Sequence, residues 1–329
     1  MFISLFGAVE SGAIYAIMAL GVYLSFRVLD FPDLTVDGSF VTGAAVATVL
    51  IMNGMSPISA TLLAAVAGFI AGCMTGFLHT KGKINALLSG ILMMIALYSI
   101  NLRIMDRPQL SLLNESTIIS QLKSFWGKTG FDSLFNGILS TLGVDKLPST
   151  WAIVIIMLIV TLMIKFLTDY YLKTEVGLAL RATGDNQRMI RSFAADTDTL
   201  IIVGIGISNA LVALSGALIA QHSGFADVGM GIGMIIIGLA SVIIGEALFG
   251  TKTIARATLA VIGGAIIYRI VVTLALRVEF LETGDMKLIT ALLVVVSLVA
   301  PKILQTRREK KRRLQKRANL ISQKKIEGV

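Results

Sequence analysis

Cysteine is almost missing from this chain: Cys73 is the only one in 329 residues. That excludes an internal disulfide and any metal site built on thiolates. Histidine is nearly as scarce, and His79 and His222 fall on opposite sides of a membrane if apolar spans alternate, so they cannot share a metal. Charge is the third shortage, at 15% of residues against 55% hydrophobic, with a mean hydropathy of +0.83. A chain this apolar cannot hide its surface in a water-soluble core, and it belongs in a bilayer. The run 245–253, GEALFGTKT, resembles a phosphate-binding loop only in outline. That loop needs Lys directly after its second glycine, and here Thr251 stands before Lys252. The chain therefore lacks an ATP site of its own, and the reading is of a non-enzyme with no cofactor and no metal.

What the chain does have is length in apolar runs. Nine stretches approach the ~20 residues needed to cross hydrocarbon: 2–26, 34–52, 58–78, 84–103, 151–168, 200–221, 230–248, 254–276 and 286–303. The expected fold is all-α, a polytopic bundle over 1–304 followed by a basic tail, 305–329. The first run carries Glu10, lacks a basic leader and is too long for a signal core, so it is expected to be retained.

The net charge of +9 comes from the tail, since from Lys302 onward eleven Lys or Arg stand against two Glu. A basic run directly after a membrane span reads as lipid attraction and orientation and not as nucleic-acid binding. The tail, Lys81, Lys83, Lys252 and the arginines of a central island at 172–198 all fall on one side, which the positive-inside rule makes cytoplasmic. The N-terminus is then outside, as is the segment 105–150. Within that segment Phe131, Leu134, Phe135, Ile138, Leu139 and Leu142 mark one face of an interfacial helix, serving either as a lipid anchor or as part of an outer gate or platform.

Two stretches interrupt the apolar pattern. In 27–40, Pro32 prevents a continuous helix between three aspartates, so the segment is either a headgroup turn or, the favoured reading, part of a broken or short helix. The island reads as a short amphipathic helix, with Leu178, Ala179, Ala182 and Met189 at roughly helical spacing. It is either a connector or a docking element. Of the ionisable residues inside spans, Arg269 is expected to pair with a carboxylate and hold the bundle together.

Three segments together resemble the permease subunit of ATP-binding-cassette importers of the branched-chain amino acid and ribose type. They are GAIYAIMALGVYLSFRVLDFPDLTVDGSF, EVGLALRATGDNQRMIRSFAADTD and SGALIAQHSGFADVGMGIGMIIIGLASVIIGEALFG. The third is similar to an amino-acid subgroup that includes aromatic substrates. Pro32, Asp33 and Leu34 stand where the branched-chain type has an Ala-His-Gly-like turn. The resemblance implies a separate ATPase, an extracytoplasmic solute-binding protein, and a second permease, either identical or a sibling. It turns the island into a coupling region with Glu175, Gly177, Arg181, Gly184, Asp185, Asn186 and Arg188 as its working residues. Asp33, Asp37, Ser39, Phe225 and Ser241 become candidates for the pathway or gate. The rival classes are a self-powered transporter or channel and a structural membrane protein.

Overall fold

The computed structural model describes residues 2–128, 130–133, 136, 148–193 and 196–275, with isolated positions at 288, 291, 292 and 295. The ninth expected span and the basic tail lie outside the described residues apart from those four positions, as does most of the interfacial helix expected at 131–142. Among the described residues eight helices are long and apolar enough to cross a membrane. They are α1 (Phe2–Tyr23, continued by a π-helical turn, Leu24–Val28), α2 (Thr35–Met52), α3 (Pro57–Thr80), α4 (Ala86–Met105), α6 (Ala152–Lys173), α8 (Thr197–Ser223), α9 (Met234–Phe249) and α10 (Ile254–Ala275). Two shorter helices, α5 (Ile118–Gly127) and α7 (Glu175–Ser192), lie between spans.

Helix α8 is the central post, packed by α1, α2 and α3. Apolar attraction between helices is weak in hydrocarbon, so close backbone approach and interhelical hydrogen bonds must do the joining. Ser208 donates to the Gly21 carbonyl at 2.7 Å and Ser215 to that of Ile14 at 2.9 Å, clamping α8 to α1. On the outer face of the bundle the exposure is apolar: Ile58, Leu62, Val66 and Ile70 of α3 recur every fourth residue and stay uncovered, one lipid-facing stripe.

The break expected in 27–40 is present. After the π turn the chain leaves helical geometry over residues 29–34 and re-enters it at Thr35. Asp33, fully buried, accepts from Asn209 at 2.6 Å. Asn209 stands twelve residues along α8, roughly 18 Å from its start, so this irregular backbone lies deep in the bundle. Such backbone survives at that depth only inside protein.

The second half of the chain resembles the first in outline. Helix α8, like α1 with its π turn, is 27 residues long, and Phe-x-Asp follows each: Phe31–Asp33 in an irregular turn in one case, Phe225–Asp227 in an extended segment in the other. In both the aspartate accepts from the amide two residues on, Thr35 at 2.9 Å and Gly229 at 2.7 Å. The packing is matched as well, α1 against α10 and α8 against α3. With spans alternating in direction, α8, the sixth, would run opposite to the first, the arrangement of an inverted repeat.

A small sheet, absent from the all-helical expectation, closes the end of the bundle at which α8 finishes. Strand β1 (Gln109–Ser111) pairs antiparallel with β2 (Phe225–Asp227), Leu110 opposite Ala226. Helix α5 sits beside it, opened by a Thr117–Ser120 capping box. Gln221 of α8 accepts from the Ile118 amide at 2.9 Å and donates to Thr61 at 2.8 Å, which ties α5 to the spans below it.

Candidate coupling and pathway sites

Helix α7 is built from the island. Thr174 caps its first turn, accepting from Gly177 at 3.3 Å. Its backbone breaks at Asn186 (φ −155°, ψ 89°), whose side chain then accepts from Met189 at 3.1 Å and starts the second piece. The break lies two residues beyond Gly184, the position at which the sequence suggests a helix end or a close turn. Gly184 serves close approach: a Cβ there would overlap the carbonyl oxygen of Val28, so α7 lies directly against the end of the π turn. A Cβ on Gly177 would likewise overlap the Tyr171 carbonyl at the end of α6.

The buried face of α7 is Gly177, Leu180 and Thr183, which corrects the apolar face expected from Leu178, Ala179, Ala182 and Met189. Leu178 and Met189 are exposed, as are Val176 and Phe193. Leu180 is the one large apolar side chain of that buried face, beside Gly177 and Gly184 where the backbones touch, and the other large apolar residues named are left facing outward. Glu175, Arg181, Asp185 and Arg188 are exposed beside them, and neither Arg181 nor Arg188 forms an ion pair among the described residues.

Around α7 the ends of the spans are stitched by charge. Arg27 forks onto Glu246, its Nε donating to the two carboxylate oxygens at 2.9 and 3.1 Å, which joins the π turn to α9. Asp198 accepts from Arg191 at 2.8 Å and from Lys81 at 3.3 Å, joining α3, α7 and α8. Asp196 caps α8, and the Thr199 hydroxyl and amide, together with the Asp198 amide, hold its carboxyl below the usual range. A cavity of about 650 Å³ opens between Tyr23, Arg27, Asp30, Arg181 and Asp185.

The five candidate pathway residues do not converge. Asp33 is locked to Asn209 and to the Thr35 amide. Ser39 is fully buried, and its hydroxyl has no partner among the described residues. Ser241 is buried and donates to the Ile237 carbonyl at 2.7 Å. Phe225 is 40% exposed on β2. Asp37 borders a cavity, and it caps α9 from across the bundle, accepting from the Gly233 and Ile235 amides at 2.9 and 2.8 Å.

Arg269 departs from expectation. It stacks over the Tyr15 ring at 4.5 Å, a cation–π contact, and forms no ion pair with a carboxylate among the described residues. The buried pair instead is Lys165 with Asp169 at 2.6 Å, on α6, with Thr258 of α10 donating to Asp169 at 2.6 Å. The sequence reading missed it, although opposite charges four residues apart in an apolar run were the available signal. Among the described residues no group of three or more His, Cys, Asp or Glu could hold a metal ion.

Comparison with known proteins matches the chain over residues 4–298 to the family of permease components of branched-chain amino acid transport systems. A protein of Clostridioides difficile (strain R20291) named a tyrosine transport system permease is 41% identical over 285 residues, 87% of each chain. An uncharacterized protein of Rickettsia prowazekii (strain Madrid E) is 33% identical over 299 residues, 90% of this chain and 96% of its own. A protein of Methanocaldococcus jannaschii named "Probable branched-chain amino acid transport permease protein" is 26% identical over 215 residues, 65% of this chain and 64% of its own. An eight-span described bundle and a match across nearly the whole chain lead to one assignment: the chain belongs to the branched-chain amino acid transport system permease family, the multi-pass membrane subunits of ABC transporters.

Proposed function

We propose that this chain conducts an amino acid into the cell, tyrosine being the first candidate, and that α7 couples it to a separate ATPase. The observation that carries the coupling is the seat of α7. One face touches the π turn of α1 through Gly184 while the other presents Arg181, Arg188, Leu178 and Met189 without partners among the described residues. Exposed apolar residues with interspersed cations suit a protein surface, and the cytoplasmic side is where a soluble ATPase sits. Glu175, Gly177, Asp185 and Asn186 shape the same helix. Tyrosine is suggested by the name of the relative in Clostridioides difficile. The outer end, with β1, β2 and α5, would receive an extracytoplasmic solute-binding protein, and a second permease, identical or sibling, would complete the pathway in the lipid.

On this reading, ATP-driven closure of the ATPase pair moves α7 and rocks the bundle between outward-open and inward-open states. Asp33 and Ser39 then act as braces within the bundle, Ser241 as a packing contact and Phe225 as part of the outer mouth.

The test is affinity purification of the tagged permease followed by ATPase assay. An ATPase should co-purify with the parent chain. Arg181→Glu and Arg188→Glu should each weaken that association about ten- to a hundredfold, as loss of a charge-assisted bond worth roughly 1.5–3 kcal/mol predicts, or should uncouple hydrolysis from uptake. Absence of any ATPase from the parent would favour a self-powered transporter, and both variants assembling and transporting at the parental rate would remove α7 from the coupling role.

A further inference from the structure

Between the first turn of α2, the middle of α4 and the glycine-rich turn ahead of α9 lies a second cavity, of about 400 Å³. That falls within the ~300–1,000 Å³ of small-molecule sites. Val41, Met94, Ile95 and Ile232 form its apolar walls, with Asp37 at one end and Tyr98 at the open side. Tyr98 is 55% exposed, and α4 is the least buried of the eight spans. Gly231 borders the cavity where it meets α2, packed so closely that a Cβ there would overlap the Asp37 carbonyl and crowd Val41 at 2.5 Å. Tyr98 stands twelve residues along α4, roughly 18 Å from its start, about halfway across a bilayer.

The polarity of the cavity is one-sided. A helix N-terminus attracts anions, but the N-terminus of α9 is already occupied by Asp37, which takes the amides of Gly233 and Ile235. A ligand carboxylate finds no vacant donor there. The Asp37 carboxylate has about four acceptor positions, the Gly233, Met234 and Ile235 amides take up to three of them, and no Lys or Arg lines the cavity among the described residues. A buried-edge carboxylate without a cation, beside apolar walls and an exposed ring, fits a ligand with an ammonium group and a large apolar or aromatic body.

We propose that this cavity is a solute subsite within the permease itself, holding the ammonium of an aromatic amino acid at Asp37, its side chain between α4 and the Gly231 turn, and its carboxylate toward the open side, where the Tyr98 hydroxyl can donate. The inference rests on the amino-acid permease reading above and adds a place where the permease, and not only a binding protein, recognises the solute.

The experiment uses the full-length chain in lipid nanodiscs without binding protein, in a Cys73→Ala background carrying Ser99→Cys, a position lining the cavity. The rate of labelling by a small thiol reagent is measured with L-tyrosine, with tyramine, which keeps the ammonium, and with 3-(4-hydroxyphenyl)propionate, which lacks it. Tyrosine and tyramine should slow labelling about tenfold at ten times their Kd, by occupancy alone. The propionate should not, Ile95→Trp should abolish protection by filling the cavity, and Met94→Cys, which also lines the cavity, serves as a second reporter if Ser99→Cys folds poorly. Equal labelling with and without tyrosine at both reporters, equal protection by the propionate, or protection that survives Ile95→Trp would each overturn the subsite. If an ATPase still co-purifies with the permease in that event, the subsite has failed and the permease reading has not.

Discussion

Lys165 and Asp169 form a buried ion pair on which part of this bundle's stability depends. Both side chains are nearly fully buried, 6% and 7% exposed, and they face each other at 2.6 Å on adjacent turns of α6. Each ion loses several kcal/mol of hydration on burial, and the partner's charge returns it only while both are present. Thr258 supplies a further hydrogen bond to Asp169. Lys165→Met alone should therefore destabilise the permease by about 3–5 kcal/mol, and adding Asp169→Leu should restore most of that loss. Thermal unfolding in detergent, read across the two single variants and the double, measures it. The pair was overlooked in the sequence for a definite reason: the hydropathy boundary at residue 168 put Asp169 outside the span, so its spacing from Lys165 was not read as a pair within the membrane. Arg269 failed differently, because a ring fifteen residues from the N-terminus can satisfy a guanidinium as a carboxylate does, and nothing local in the sequence marks Tyr15 as its partner.

At the scale of the element, α7 shows which features of a helix periodicity can reach. Its charge set it apart from the flanking spans, and its helical character followed from spacing. Its buried face did not. Periodic reasoning turns large apolar residues inward, whereas here the contact is made where side chains are missing, at Gly177 and Gly184, so that backbone meets backbone. Gly184→Val should displace α7 from the π turn, with an overpacking cost of about 1–3 kcal/mol. The expected outcome is loss of coupling ahead of loss of folding: amino acid moved per ATP hydrolysed falls in reconstituted complexes while yield and melting temperature change little. A parental ratio in a well-folded Gly184→Val permease would mean that the close seat is dispensable. The broken segment at 29–34 was legible for the opposite reason, since Pro32 forbids a continuous helix by its own covalent structure.

For the whole molecule, hydropathy located every described span, and the basic residues gave an orientation that calls for direct measurement. In a Cys73→Ala background an impermeant thiol reagent applied to intact cells should label Ser133→Cys and spare Gln187→Cys, both exchanged sites being visible to solvent in part. The reverse pattern would invert the topology and place α7 on the wrong side for an ATPase. The likeness between the two halves escaped the sequence reading because they share little more than a Phe-x-Asp tripeptide. Counted from it, Asp37 stands where Gly231 stands in the second half, and the Asp37 carbonyl lies so near Gly231 that a Cβ there would overlap it. The carboxylate of the same residue closes α9 by taking the Gly233 and Ile235 amides. Asp37 thus holds the turn ahead of α9 by backbone and side chain together, so any side chain introduced at Gly231 would have to push α2 away and would strain that cap with it.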